Sequence, residues 1–395
     1  MSNIKTLAEK YFDEIVNIRR DIHRHPEIGG TETRTAGIIR DKLKEFGVDK
    51  IETPAPTATV ALINGNKGEG RCVALRCDID ALPVTEQTGL PFSSENEGVM
   101  HACGHDMHAS MLLGVAKILC NMRDEFAGTV KLIFQHSEDT LPGGAKELVE
   151  AGVMAAPKVD AILGMHMMPH EKMVGNLGYI VGPATTSVDL YTVKVSGRGG
   201  HGSAPHTTDD PLLTACQMVV MLQQVVARRV NPLDTAILSV STINSGVAVN
   251  VIPDSAEFTC IARAYTDEAR RVMKEQVFTI AKGMEFTSGC KVNIDHYEGY
   301  PSVSNDEGVV EVFKSAVAKN IGEDMLYEMP EPMSFSEDFS YYTKHERTPG
   351  AFFLCYAGYE GKLVSLHNPT IILREDAMVN GMTAMASSAI EFLKK

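Results

Sequence analysis

Apolar residues recur at three- and four-residue spacing from the start of the chain: Ile4, Leu7, Tyr11, Ile15, Ile18 and Ile22. That period predicts an opening helix, which Pro26 stops. A second helix runs to about Phe46, with Gly47 as its terminal glycine. "TATVALIN" and "CVALRC" are then two β-rich apolar runs of strand length. An amphipathic helix is expected from about His108 to Met122. Strand "TVKLIFQ", a helix closed by Gly152 and strand "AILGMH" follow. Alternating strand and helix signals an α/β layered domain with a mostly parallel sheet.

The pattern changes after Gly182. "DLYTVKVSG" alternates apolar and polar residues, as a strand with one wet face does. A helix from about Pro211 to Arg229 comes next, then strands "AILSVSTIN" and "EFTCIARAY". A helix from about Asp267 to Met284 and strand "KVNIDHY" complete the run. The order β-α-β-β-α-β is that of a ferredoxin-like unit. The α/β texture then returns through strand "GAFFLCYAG" to a final helix ending at Lys395. The expected layout is therefore α/β with two domains. Residues 1–183 and 298–395 form the larger one, and residues 184–297 are inserted into it.

Length and composition narrow the class. The 395 residues are too many for one core and fit two domains. No apolar run approaches the roughly 20 residues of a membrane span. The first residues lack the pattern of a secretion signal, which points to the cytoplasm. Eight cysteines are scattered without a CxxC pair, so a disulfide framework is not expected. The net charge of -14 and the absence of basic runs argue against nucleic acid as a partner.

Candidate chemistry gathers where strands end. "CVALRC" runs into Asp78, "TVKLIFQHS" into Glu138 and Asp139, and "AILGMH" ends on His166. In open α/β sheets, ligands bind at that edge. Beside these stands "MHACGHDMH", where Cys103 and His105 offer a thiolate and an imidazole. Those groups suit zinc and its first-row neighbours, while carboxylates also tolerate manganese. His101 and His108 read as structural support. Glu138 and Asp139 read either as an exposed acidic turn or as one acid for a metal and one for protons. His166 and His367, taken alone, read as ordinary core or surface histidines. "VSGRGGHGSAPH" is a glycine-rich turn, not a phosphate loop, and His201 within it is a candidate donor to an oxyanion. "SFSEDFS" contains S-x-x-E, which reads as a helix cap at Ser334.

Taken in order, "RRDIHRHPEIG", "LRCDIDALP", "MHACGHDMH", "FQHSED", "GMH", "GRGGHGSAPH", "NVIP", "SEDFS" and "LHNP" resemble the metal-dependent aminoacylase and amidohydrolase family, across almost the whole chain. The resemblance implies two divalent metal ions per subunit, zinc or manganese, with cobalt and nickel as further candidates. Cys103, His105, Asp139, His166 and His367 match the ligand positions, Glu138 the catalytic base, and Asp78 the acid that orients a metal-bound imidazole. It also implies that the inserted domain is a lid and dimerisation domain in a homodimer or homotetramer. His201 would then reach the partner subunit's site, and Asn250 and Arg263 would contact substrate. The chain departs from the family pattern at Asp139, where a glutamate is usual, at His136, where proline is usual, and at Met107, where glycine is common.

The activity so implied is hydrolysis of the amide bond of an N-acyl amino acid, giving a carboxylate and a free amino acid. Dipeptidase, carboxypeptidase and N-acetyldiaminopimelate deacetylase activities are the alternatives within the family. Outside it, Cys103 could serve a cysteine hydrolase, or the cluster a non-catalytic metal-binding module. Small-molecule substrates are expected, with neither nucleic acid nor membrane as a partner.

Overall fold

A computed structural model describes residues 4–359 and 363–394. The chain divides into two compact units. One comprises Met1–Ala184, Ser304–Pro332 and Asp338–Lys395; the other comprises Thr185–Val303 and Met333–Glu337.

The larger unit opens with helices α1 (Ile4–Arg24) and α2 (Thr33–Phe46). Gly47 closes α2 in the left-handed conformation, at φ +78°. Strands β1 (Lys50–Glu52), β2 (Thr59–Asn64) and β3 (Cys72–Asp78) lead to helix α3 (His105–Cys120). Strand β4 (Thr129–Gln135), helix α4 (Gly144–Glu150), and strands β5 (Ala161–Met168) and β6 (Asn176–Tyr179) follow. With the strands Gly350–Tyr356 and Leu326–Glu328 they build one eight-stranded sheet. Its order is β1, β2, β4, β3, β5, Gly350–Tyr356, β6, Leu326–Glu328. The central four, from β4 to Gly350–Tyr356, run parallel. This is a mixed α/β fold built on a mostly parallel sheet.

Two expectations change here. Helix α3 is not amphipathic: all its residues are buried except the half-buried Lys117 and Cys120. It packs against α1, β3 and the last helix, Met378–Leu393, so no face is left for water. Lys395, the expected end of that last helix, lies outside the described residues. Ser334 caps no helix, because the next helix begins only at Ser340 and has no side-chain cap.

In the second unit, strands Ala236–Ser245, Ser255–Ala264, Asp189–Ser196 and Lys291–Glu298 lie side by side in that order, all antiparallel. Helices Pro211–Arg228 and Asp267–Ser288 supply Leu222, Val225, Met273 and Val277 to a core with Val193, Val195 and Phe258. Residues beyond Glu298 stay with this unit because they pair with its incoming segment. Val188 donates to Tyr300 at 3.0 Å, and Thr185 to Val303 at 3.3 Å. Among the described residues no helix is long and apolar enough to cross a membrane.

Candidate metal centre

Parallel pairing sets strand ends level with one another. Asp78 is in register with Gln135 on β4, and Arg76 with Gly164 on β5, two residues before His166. The carboxyl edge of the sheet therefore carries Asp78, the Glu138–Asp139 pair and His166 together. Gly104 delivers the next two groups. Its φ of +90° reverses the chain just before α3, a conformation that suits glycine. Cys103 and His105 thus flank one tight turn.

Cys103 Sγ lies 3.4 Å from His166 Nε2 and 3.3 Å from His367 Nε2. His367 Nε2 is in turn 3.5 Å from Asp139 Oδ1, and His105 Nε2 is 3.9 Å from Asp139 Oδ2. Ligand atoms of Cys103, His105 and His166 lie within 4.8 Å of one another, as do those of Cys103, Asp139 and His367. Five side chains, Cys103 among them, thus meet from four separate segments. His367 adopts φ +66°, a strained backbone for a residue that is not glycine. Its N–H donates to the Ala102 carbonyl at 2.8 Å, which ties it to the Cys103 turn.

Tautomers follow from the partners. His105 Nδ1 faces the Asp80 carbonyl at 3.0 Å and Asp80 Oδ1 at 3.1 Å, so it carries the proton. Its Nε2 lone pair then points into the cluster. His166 Nδ1 donates to the Met167 carbonyl at 2.7 Å, which turns the Nε2 lone pair towards Cys103. His108 is of a different kind. Its Nε2 accepts the Met167 N–H at 2.8 Å and its Nδ1 donates to Asp78 Oδ1 at 2.5 Å. Both nitrogens are used, so His108 braces the site as a neutral ring. Burial lowers its pKa accordingly.

The donor set fits divalent cations. His105 Nε2 and Asp139 Oδ2 are buried with no hydrogen-bond partner, and buried polar atoms rarely stay unpaired. A cation between them would satisfy both. Burial disfavours charge on His105, yet Asp78 and Cys103 drive its pKa well above the ordinary value. The surroundings thus favour positive charge at that point. Burial opposes ionisation of Asp78 too, but His105, His108 and Arg76 hold its carboxyl well below the usual range. Burial pushes the Cys103 thiol well up. Without a cation it is a poor nucleophile, whereas metal binding deprotonates such a thiol.

Asp80 was not singled out in the sequence. It is the carboxylate that holds His105 Nδ1, while Asp78, the expected orienting acid, contacts His108 Nδ1 and lies 3.7 Å from His105 Nε2. Its only signal was a second acid two positions on in "DID", just past the end of β3. Glu138 is buried beside this cluster, and its charge acts on the Cys103 thiol.

His201, Asn250 and Arg263 belong to the second unit. His201 pairs with Val251 on a short exposed ribbon, and the Asn250 carbonyl accepts the Gly202 N–H at 2.8 Å. His201 Nδ1 accepts from Ser203 N at 3.2 Å, which leaves the proton on Nε2 as a donor. Arg263 Nη1 donates to Ser336 Oγ at 2.8 Å and, at 3.3 Å each, to Thr186 Oγ1 and the Ser334 carbonyl.

The sequence pattern of peptidase family M20/M25/M40 matches residues 74–391. An N-acetyl-L-cysteine deacetylase of Bacillus subtilis is 36% identical over 391 residues, 99% of this chain and 90% of the relative. A hippurate hydrolase of Campylobacter jejuni is 35% identical over 386 residues, covering 96% of this chain and 97% of its own. The crystal structure of a dinuclear metal-binding peptidase of family M20 from Bacillus subtilis superposes with a TM-score of 0.84. It is 33% identical and covers 98% of this chain and 99% of its own.

Proposed function

Since the chain belongs to peptidase family M20/M25/M40, and is thus a metal-dependent amidohydrolase, we propose that it cleaves N-acyl amino acids at a two-metal site. Cys103, His105, Asp139, His166 and His367 hold the ions. The observation that carries this reading is the convergence of those five side chains around buried, unpaired His105 Nε2 and Asp139 Oδ2. Zinc or manganese suits a set of one thiolate, three imidazoles and one carboxylate. The relatives act, by name, on N-acetylcysteine and on hippurate, so N-acetyl and aromatic acyl groups are the first candidates.

When bound, such ions act as Lewis acids on the scissile carbonyl. Glu138 accepts the proton of the attacking water and returns it to the leaving nitrogen. His108 and Asp80 fix the rings of the site from behind. His201 donates its Nε2 proton to the developing oxyanion of the partner subunit in a homodimer. Arg263 and Asn250 receive the amino-acid half, Arg263 by pairing with its carboxylate. All eight cysteines are free, as suits a reducing compartment such as the cytoplasm.

The test is metal analysis of the purified protein, followed by a screen of N-acetyl amino acids, N-benzoyl amino acids and dipeptides with and without chelator. Two equivalents of metal and chelator-sensitive release of an amino acid from an N-acyl substrate are expected. Turnover that survives complete metal removal would overturn the reading in favour of a cysteine hydrolase. Cleavage confined to dipeptides would reassign the substrate.

A further inference from the structure

Glu32 is fully buried, yet it serves neither a salt bridge nor its own helix. It stands at the N-cap position of α2 without capping the helix through its side chain. That task falls to Glu27, whose carboxylate accepts from Arg34 N at 3.0 Å and Thr35 N at 2.8 Å. Glu32 instead reaches across to β4's end, where Oε1 accepts the Ser137 N–H at 2.8 Å. Its Oε2 is buried with no partner. A buried carboxylate with a single backbone hydrogen bond costs stability, so the contact it makes is the feature to explain.

Ser137 is where the strand stops alternating. Along a regular strand, Glu138 and Asp139 would point to opposite faces. Ser137 instead takes φ +52°, a left-handed backbone that is strained for a residue that is not glycine. The bend lies directly before Glu138. Its two backbone groups are held from two sides: Glu32 takes the N–H, and Gly144 N donates to the carbonyl at 3.2 Å. The loop bearing Glu32 also presses on the same turn. A Cβ on Gly29 would come 2.7 Å from Thr140 Oγ1 and 3.1 Å from Ser137 Cα.

We propose that Glu32 is a positioning residue for Glu138: by holding the Ser137 N–H it fixes the left-handed turn that aims the catalytic base. This rests on the reading of Glu138 as the base. What Glu32 contributes is an acceptor atom at the right distance, not a charge.

The experiment compares Glu32→Ala, Glu32→Asp and Glu32→Gln in the metal-loaded protein, each alone and combined with Glu138→Gln. Misplacement of a reacting group by about 1 Å can cost about 100-fold. Glu32→Ala and Glu32→Asp should therefore lower kcat at least about tenfold, with KM and metal content within about twofold of wild type. Glu32→Gln keeps a carbonyl oxygen for the Ser137 N–H and should retain near-normal kcat. In the Glu138→Gln background, Glu32→Ala should cost less than about twofold, because residues acting through one group are not additive. Hydrogen exchange of metal-free protein should show faster exchange in the peptide spanning Ser137 for Glu32→Ala but not for Glu32→Gln. Should Glu32→Ala fail to fold, Glu32→Asp carries the comparison. The inference is overturned if Glu32→Ala keeps its kcat while Glu138→Gln is inactive, if Glu32→Gln is as impaired as Glu32→Ala, or if the penalty is equal in both backgrounds. Normal turnover by Glu138→Gln would sink the base assignment itself, whatever Glu32 does.

Discussion

Asp80 holds His105 through both its backbone and its side chain: the carbonyl lies 3.0 Å and Oδ1 3.1 Å from Nδ1. The other carboxylate oxygen accepts the Asp139 N–H at 2.9 Å. One side chain thus orients one proposed ligand and anchors the backbone of another. Partners of this kind are typically worth about 10–100-fold in metal affinity. Asp80→Ala should weaken metal binding by that factor, measured by competition with a chromogenic chelator. Unchanged affinity would show that the Asp80 carbonyl suffices alone.

Glu138 is proposed to move protons, not to hold metal. Glu138→Gln should keep the fold and the metal content but lose about 10²–10⁴-fold in kcat. The two readouts separate the roles. Loss of an equivalent of metal would make Glu138 a ligand, and near-normal turnover of the metal-replete variant would remove it from the chemistry.

His201 presents an Nε2–H donor on an exposed ribbon because Ser203 N occupies Nδ1. A donor to a developing oxyanion is worth about 2.7–4 kcal/mol. His201→Ala should therefore be severely impaired as a homodimer. Mixed with Glu138→Gln subunits, it should regain activity in heterodimers that pair one intact Glu138 with one intact His201. The absence of rescue despite proven subunit exchange would rule out sharing between subunits.

Much of this architecture was legible because period reports burial. The alternation in "DLYTVKVSG" is the strand Asp189–Ser196 with its wet and dry faces, and the strand-end residues fall at one edge because the sheet is parallel. Four features were not legible. The strands β1, β6 and Leu326–Glu328 are three or four residues long, too short to show a period. The wet face expected of the helix from about His108 to Met122 is missing: Lys117 alone carries charge towards solvent, and the polar residues of α3's first turn are buried because His105 pairs with Asp80, Asp106 with His23 and His108 with Asp78. The division of labour between Asp78 and Asp80 depends on which ring each meets, and spacing cannot supply that. The S-x-x-E pattern at Ser334 misled because a cap needs a helix start, which tertiary context placed at Ser340.

Arg76 tests how the edge is held together. Its guanidinium, about 1% exposed, bonds Asp78 at 2.9 Å, Asp338 at 2.7 Å and Gln135 at 2.8 Å. Gln135 in turn donates to Asp338 at 2.7 Å. Removing one partner of a buried pair strands the rest and costs about 3–5 kcal/mol. Arg76→Met should lower the urea midpoint of unfolding by that equivalent. Arg76→Met with Asp338→Asn should recover part of the loss, since one stranded charge goes with its partner. Additive losses would show that the two groups are energetically independent.

Glu86 gives the acid limb of stability a specific origin. Its Oε1 lies 3.3 Å from His23 Nε2, and Oε2 accepts the Ser94 N–H at 2.7 Å. Burial opposes its ionisation, but His23, Thr88 and Ser94 hold the carboxyl down at about 2, against an ordinary 4.5. A carboxyl depressed on folding stabilises above its unfolded pKa, and that contribution is lost as pH falls towards the folded value. His23 has a raised pKa, so it stays charged through this window, and the titration there belongs to Glu86. The urea midpoint of wild type should therefore fall more steeply than that of Glu86→Gln between about pH 4.5 and 2, and the difference should be constant between about pH 5 and 6, below the titration of His23. Other acids titrate in both proteins and cancel in the comparison, so parallel profiles across the acid range would show that Glu86 contributes nothing to it.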